Sequence, residues 1–403
     1  MSLVDVARVA ETPSYVYDLD AMAAEARELR EAFGSQRHRV CFAVKANSAG
    51  AVLRALAGQG CGADVVSGAE LVLARACGVP SDAIVFSGVA KLGREIDFAI
   101  AEGVTIQVES VEEIGRIAER ASDLGARARI SIRINPAIDS AALATHANIA
   151  TGHDEAKFGV LVADLPAALD AASRSDRVSL VGLSAHIGSQ LTDTAAYVDA
   201  ARALFAIARE VRQAHPLSFV DTGGGFGIDY GAGCGARPAD FVRAVCRELA
   251  HQGLGDVALY VEPGRSLVAT HGVLLTRVIQ RKVSGDQRWL MIDAGMNDLL
   301  RPALYQARHR VVPVETSGAP CATVRVVGPV CESSDDFGAH DLPEGGFSLA
   351  AVLDAGAYGY TMASRYNGRA LPAEVFISGG RIASITARED WSAWAGDRAR
   401  AGA

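Results

Sequence analysis

The sequence predicts an α/β chain: a (β/α)8 barrel of the TIM type followed by a mostly β C-terminal domain. Three observations carry that prediction. Between about residue 38 and residue 270, eight short apolar runs alternate with amphipathic helical patterns, the rhythm and size of such a barrel. Polar residues able to do chemistry collect where those runs end, and barrels place their active sites at that end. After Thr270 the period changes to the alternation of half-exposed strands. The expected division is 30–270 for the barrel, with 1–29 and 271–403 forming the β-rich domain.

Residues 12–18 read as a short strand, and Asp20 is placed to cap a helix carrying Met22, Ala26, Leu29 and Phe33 on one face. The first barrel strand begins at Val40 and ends on Lys45, with a helix at 51–57. The second, 63–66, ends on Ser67-Gly68 and leads into a helix at 69–77. The third, 83–86, ends on Ser87-Gly88. The fourth, 104–108, ends on Glu109-Ser110 before a helix through Ile114 and Ile117. The fifth, 129–134, ends on Asn135-Pro136 and a longer loop. The last three are 180–185 ending on His186, 217–221 ending on Gly223-Gly224-Gly225, and 257–261 ending on Glu262. Beyond the barrel, 273–283, 289–293, 322–330, 349–353, 374–377 and 381–387 read as strands. The strand near 14–17 is a candidate to join them, since it precedes the barrel.

Composition narrows the function. The 403 residues are 50% hydrophobic and 21% charged, the balance of a well-buried enzyme rather than a disordered chain. The net charge of −8 argues against nucleic acid or an anionic membrane as partner. No apolar run reaches the roughly 18 residues of a membrane span, and Met1 to Glu11 lack a signal-peptide core. Cys41, Cys61, Cys77, Cys234, Cys246, Cys321 and Cys331 are odd in number, scattered and without a CxxC pair. That pattern suggests neither a disulfide framework nor a zinc knuckle, and fits a reduced cytoplasmic protein with no metal.

Four strand ends carry the chemistry. Lys45 closes an apolar run, where a desolvated amine becomes a Schiff-base nucleophile; the ordinary alternative is a snorkelling or salt-bridged lysine. Gly223, Gly224 and Gly225 can turn their amides onto a phosphate or make a tight turn. Glu262, before Pro263-Gly264-Arg265, could keep a cofactor ring nitrogen protonated or pair with its own arginine. His186, before Ile187-Gly188-Ser189-Gln190, could stack on a ring or be a satisfied core histidine. Each signal is weak alone. Lysine, phosphate cradle, stacking ring and pyridine-directed carboxylate together describe one cofactor, pyridoxal 5'-phosphate (PLP).

The ordered motifs extend over nearly the whole chain. They are Val44-Lys45-Ala46-Asn47, Asp64-Val65-Val66-Ser67-Gly68, Thr151-Gly152 with Lys157-Phe158-Gly159, His186 to Gln190, the triple glycine and Glu262 to Arg265. Further on come Arg301-Pro302-Ala303-Leu304-Tyr305, Cys331-Glu332-Ser333 and Asp354-Ala355-Gly356-Ala357-Tyr358. On these the chain resembles the barrel-fold (fold type III, alanine-racemase-like) PLP-dependent decarboxylases of basic amino acids, and most of all their diaminopimelate branch.

The resemblance implies that Lys45 holds PLP covalently with Asp64 close by, and that His186 stacks on the ring. It implies that Glu262 meets the pyridine nitrogen and that Gly223 to Gly225 hold the phosphate. By the same resemblance, Ser189, Gly264, Arg265 and Tyr358 would complete the cofactor site. Arg265, Arg301 and Tyr305 would bind substrate carboxylates, Glu332 the distal amino group, and Tyr358 would lie nearby. Cys331 would be the proton donor. Cys331 and Glu332 would reach in from the second subunit of a homodimer with shared sites. The implied reaction is decarboxylation of meso-2,6-diaminopimelate to L-lysine and CO2. Two arginines and a tyrosine exceed what one carboxylate needs. The alternatives are a decarboxylase of ornithine, lysine, arginine or a related amino acid, an alanine-racemase-type enzyme, and a non-catalytic PLP-binding homologue. Ornithine-type enzymes typically carry Asp where this chain has Glu332. Three departures touch no proposed catalytic group: Ala150 before Thr151-Gly152 where Ser is frequent, Gly68-Ala69-Glu70-Leu71 for Gly-Gly-Glu-Leu, and Ser334-Asp335 where Gly-Asp is commoner.

Overall fold

The computed structural model describes residues 1–135, 157–231, 233, 235–315 and 317–400. Two compact units divide the chain. One comprises Ala23–Ile228 and Cys234–Leu267; the other comprises Met1–Met22, Asp229–Gly233 and Val268–Ala403. The chain passes between units within the helix Leu19–Glu31 and again between Leu267 and Val268.

Strands are numbered in chain order. Those of the larger unit are β2 (His38–Ala43), β3 (Gly62–Val65), β4 (Ile84–Phe86), β5 (Thr105–Val108), β6 (Ala128–Asn135), the two-residue β7 (Val160–Leu161), β8 (Val178–Ser184), β9 (Phe219–Asp221) and β10 (Ala258–Val261). Around the ring the order is β2-β3-β4-β5-β6-β8-β9-β10, every pair parallel, and β10 pairs with β2 to close the eight-stranded barrel. Closure leaves no edge, and helices cover the outside, so β4 and β5 are buried along their whole length. The polar residues that follow strands start helices. Ser67 accepts from the Glu70 amide (3.2 Å) and Ser110 from the Glu113 amide (3.2 Å), each capping a helix N-terminus.

The smaller unit carries β1 (Ser14–Asp18), β11 (Gly272–Ser284), β12 (Gln287–Ile292), β13 (Val311–Pro313), β14 (Cys321–Val327), β15 (Asp336–Pro343), β16 (Leu349–Val352), β17 (Ala373–Ser378) and β18 (Arg381–Thr386). Its sheet runs β15-β14-β12-β11-β1-β17-β18, with β16 on β11 and β13 on β16. β1 does join this sheet, between β11 and β17. A helix at Leu3–Ala10 buries Val6, Ala7 and Ala10 against Val16, Leu275, Leu349 and Val375.

Several local readings change. The helix cap is Asp18, whose Oδ1 accepts from the Ala21 amide (3.0 Å); Asp20 instead accepts from Ser378 Oγ (2.8 Å) and the Gly379 amide (2.6 Å). β14 stops at Val327, and Gly328 to Asp335 form the turn into β15. β13, β15 and the helices Leu3–Ala10 and Trp391–Arg400 are additional to the predicted elements. β15, Asp-Phe-Gly-Ala-His-Asp-Leu-Pro, carries Gly, two Asp and Pro and no β-branched residue, so strand propensity misses it.

Candidate active site

Lys45 sits in a 3₁₀ turn, Val44–Ala46, immediately past β2 rather than on the strand itself. The turn lifts the amine out of the barrel wall to the C-terminal mouth. Its Nζ donates to Asp64 Oδ2 at 2.8 Å, and Asp64 on β3 is completely buried while the lysine side chain keeps 38% exposure. The lysine is therefore held by one carboxylate yet reachable from outside. Asp64 Oδ1 is buried without a partner.

Glu262 follows β10 and is buried, and its Oε1 has no partner. Asp221, the last residue of β9, is equally buried, and its Oδ2 is also unpartnered. Burial, then the neighbouring Asp221 and Asp64 carboxylates, hold the Glu262 carboxyl well above the usual range. Burial pushes Asp221 up to about 7. Three acids so close cannot all ionise beside one lysine. The site calls for a further cation, and a pyridinium N–H directed at Glu262 is such a group.

His186 lies two residues past β8. The Gly224 amide donates to its Nδ1 at 3.1 Å, which places the ring proton on Nε2 and makes the ring neutral. Burial, then the cations of Arg133 and Lys45, hold its pKa well below the ordinary value. A neutral flat ring suits stacking on a cationic heterocycle.

The triple glycine is fixed by crowding and backbone angle. Gly223 and Gly225 have φ of +69° and +90°, and a Cβ on Gly224 would overlap the Glu262 carbonyl. Two of its amides are already used: Gly223 N–H donates to Asp221 Oδ1 (2.8 Å) and Gly224 N–H to His186. The Gly225 amide carries no such bond. Arg265 begins the short helix after Gly264 and donates from Nη2 to Ser189 Oγ at 3.0 Å. A Cβ at Gly264 would lie 3.0 Å from Ala46 Cβ, so the chain after β10 runs hard against the lysine turn.

Arg133 was not singled out from the sequence. Its Nη1 reaches Glu109 Oε1 at 3.2 Å, its Nη2 donates to the His186 carbonyl at 3.3 Å, and its guanidinium covers the Phe158 ring at 4.8 Å. Glu109 Oε2 accepts from the Gly159 amide at 2.8 Å. The period-2 run Arg129, Ser131, Arg133 in β6 was the available signal, since it sends alternate polar residues to one face. Thr151-Gly152 and Ala150 lie outside the described residues.

The larger unit thus brings together Lys45, Asp64, His186, Ser189, Gly223 to Gly225, Glu262, Gly264 and Arg265. Buried carboxylate oxygens without partners, a lysine at the barrel mouth and a side-chain-free glycine run fit PLP in both shape and charge.

The remaining predicted residues belong to the smaller unit. Arg301 is buried at the start of the helix Arg301–Tyr305. It donates from Nη1 to His309 Nε2 (2.7 Å) and lies 4.9 Å over the Tyr230 ring; His309 Nδ1–H in turn donates to the Leu353 carbonyl (2.9 Å). His309 and Tyr230 went unnoticed in the sequence because neither stands in a motif. Tyr305 is half-buried, and Tyr358 is half-buried with φ of +55°. Cys331 and Glu332 are exposed in the turn between β14 and β15. Tyr366 donates its hydroxyl to Glu332 Oε1, and these bonds with Ser334 hold the Glu332 carboxyl below its usual range.

A barrel that presents a lysine, a neutral histidine and a buried glutamate at one mouth defines a PLP enzyme. The chain belongs to the pyridoxal-dependent decarboxylases: residues 19–269 match the family described as pyridoxal-dependent decarboxylase, pyridoxal binding domain. Within that family its relatives include diaminopimelate decarboxylases. It is 40% identical to that of Zymomonas mobilis (96% of this chain, 92% of the relative) and 40% identical to that of Pseudomonas aeruginosa (96% and 93%). The crystal structure of diaminopimelate decarboxylase from Helicobacter pylori complexed with L-lysine is 37% identical, with a TM-score of 0.93 over 99% of this chain and 100% of that one. No helix among the described residues is long and apolar enough to cross a membrane.

Proposed function

We propose that the chain decarboxylates meso-2,6-diaminopimelate to L-lysine and CO2, the last step of lysine biosynthesis, in the cytoplasm. The observation that carries this reading is the Lys45–Asp64 pair together with the buried Glu262, whose Oε1 has no partner, in a chain similar over 96% of its length to a diaminopimelate decarboxylase. Bound PLP supplies the electron sink for the pair left behind when CO2 departs.

The protein's part is binding, orientation and proton placement. Asp64 aims the Lys45 amine, which would hold the cofactor. Glu262 would accept from the ring N–H, with Asp221 beside it sharing the burden of a buried negative charge. His186 would lie against the ring. The Gly225 amide, with Gly223, Gly224 and Gly264 leaving room beside it, would receive the phosphate, with Arg265 and Ser189 bordering that end. Arg301, pre-aimed by His309 and Tyr230, grips a substrate carboxylate with Tyr305. A planar guanidinium whose second face is already packed loses little freedom on binding. Cys331 delivers the proton to the α-carbon, and Glu332 accepts the distal ammonium, with Tyr358 beside both substrate and cofactor. Cys331 and Glu332 come from the second copy in a homodimer.

A panel assay of CO2 release tests the substrate. Holoenzyme should turn over meso-diaminopimelate and leave L-lysine, L-ornithine and L-arginine essentially untouched. Release from one of those three and none from meso-diaminopimelate would overturn the assignment.

A further inference from the structure

We infer that Tyr366, Ser334 and Asn367 are positioning residues for substrate recognition, fixing Glu332 and Cys331 before the substrate arrives. The inference rests on the reading of Glu332 as the partner of the distal ammonium.

The contacts come in register. Tyr366 donates its hydroxyl to Glu332 Oε1, and Ser334 donates its hydroxyl to Glu332 Oε2 at 3.0 Å. The neighbouring Cys331 amide donates to Asn367 Oδ1 at 3.0 Å. Two consecutive residues of one segment therefore hold two consecutive residues of another, which a chance surface contact does not do. Asn367 adopts φ of +58° inside the turn Tyr366–Gly368, a conformation asparagine tolerates better than most residues. The turn is itself tethered, because the Ser364 amide donates to the Asn297 carbonyl at 2.8 Å.

The other side of the Cys331 turn is anchored independently. Buried Asp335 accepts from the Val330 amide (2.6 Å) and from the Met296 amide (2.6 Å). The turn backbone is therefore held without the two hydroxyls, and what they settle is the direction of the Glu332 carboxylate. An exposed glutamate otherwise samples many rotamers and loses that freedom when it binds. Both donors are neutral, so the carboxylate keeps its charge, and each oxygen retains a lone pair for an ammonium.

The test uses holoenzyme with meso-diaminopimelate. Tyr366→Phe and Ser334→Gly should each raise KM about three- to tenfold and leave kcat within about twofold, the signature of lost ground-state binding. Inhibition by L-lysine should weaken in parallel, and Ser334→Thr, which keeps a hydroxyl, should restore KM. All three side chains are exposed, so thermal unfolding should not move; a purely structural role would lower the unfolding midpoint instead. Glu332→Gln is the reference. If it raises KM while Tyr366→Phe and Ser334→Gly do not, the clamp alone is refuted. If Glu332→Gln leaves KM and the substrate ranking unchanged, the reading of Glu332 falls and takes the clamp with it.

Discussion

Buried acids without matching cations set the character of single residues here. In the barrel they are Asp221 and Glu262, whose raised pKa values mark a place for a cation. In the smaller unit Glu374 stands on β17, buried, and accepts from the Tyr17 hydroxyl at 3.2 Å. Burial raises its carboxyl to about 7. A carboxyl raised on folding binds its proton more tightly in the native state, so its contribution to stability is lost as pH rises from about 4.5 towards 7. Glu374→Gln imitates the protonated form. Chemical denaturation should find the variant more stable than the parent at pH 8, by on the order of 2 kcal/mol, and little different at pH 4.5. An equal difference at both pH values would mean that Glu374 does not ionise across this range.

At the scale of elements, the ends of β9 and β10 do the decisive work. Gly224 passes so close to the Glu262 carbonyl that no side chain fits. Gly224→Ala should destabilise the protein by about 2 kcal/mol and weaken PLP binding, read from unfolding and from cofactor titration. Gly115, in the helix Val111–Asp123, has nothing within 4 Å of where a Cβ would stand. Gly115→Ala should therefore stabilise by about 0.5–1 kcal/mol. Elements also show what the sequence could and could not reveal. Short β-branched runs such as Ile84–Phe86 and Thr105–Val108 were legible because both faces are buried. The lysine turn was read as strand because nothing in Val44-Lys45-Ala46 breaks a β pattern; the turn is imposed by the path to the mouth of the barrel. Asp221 looked like an ordinary strand end, since its pairing with Glu262 links residues far apart in sequence. Tyr366 and His309 were invisible for the same reason: their roles lie in the groups they hold.

For the molecule as a whole, a mixing experiment tests whether sites are shared between copies. A Lys45→Ala chain and a Cys331→Ala chain should each be nearly inactive alone. In a mixed dimer, one site would hold both substitutions and the other neither. Random exchange should thus recover about a quarter of the wild-type sites. No recovery after demonstrated subunit exchange would show that each copy builds its site alone. The similarity to diaminopimelate decarboxylases spans both units, so the barrel and the β-rich unit are retained together.

The most direct test of the central claim is product analysis. Holoenzyme is incubated with meso-diaminopimelate, and CO2 and L-lysine are quantified in the same sample. One L-lysine for each CO2, dependent on PLP and abolished by Lys45→Ala, is the predicted result. CO2 without L-lysine, or neither product from a protein fully loaded with PLP, would contradict it.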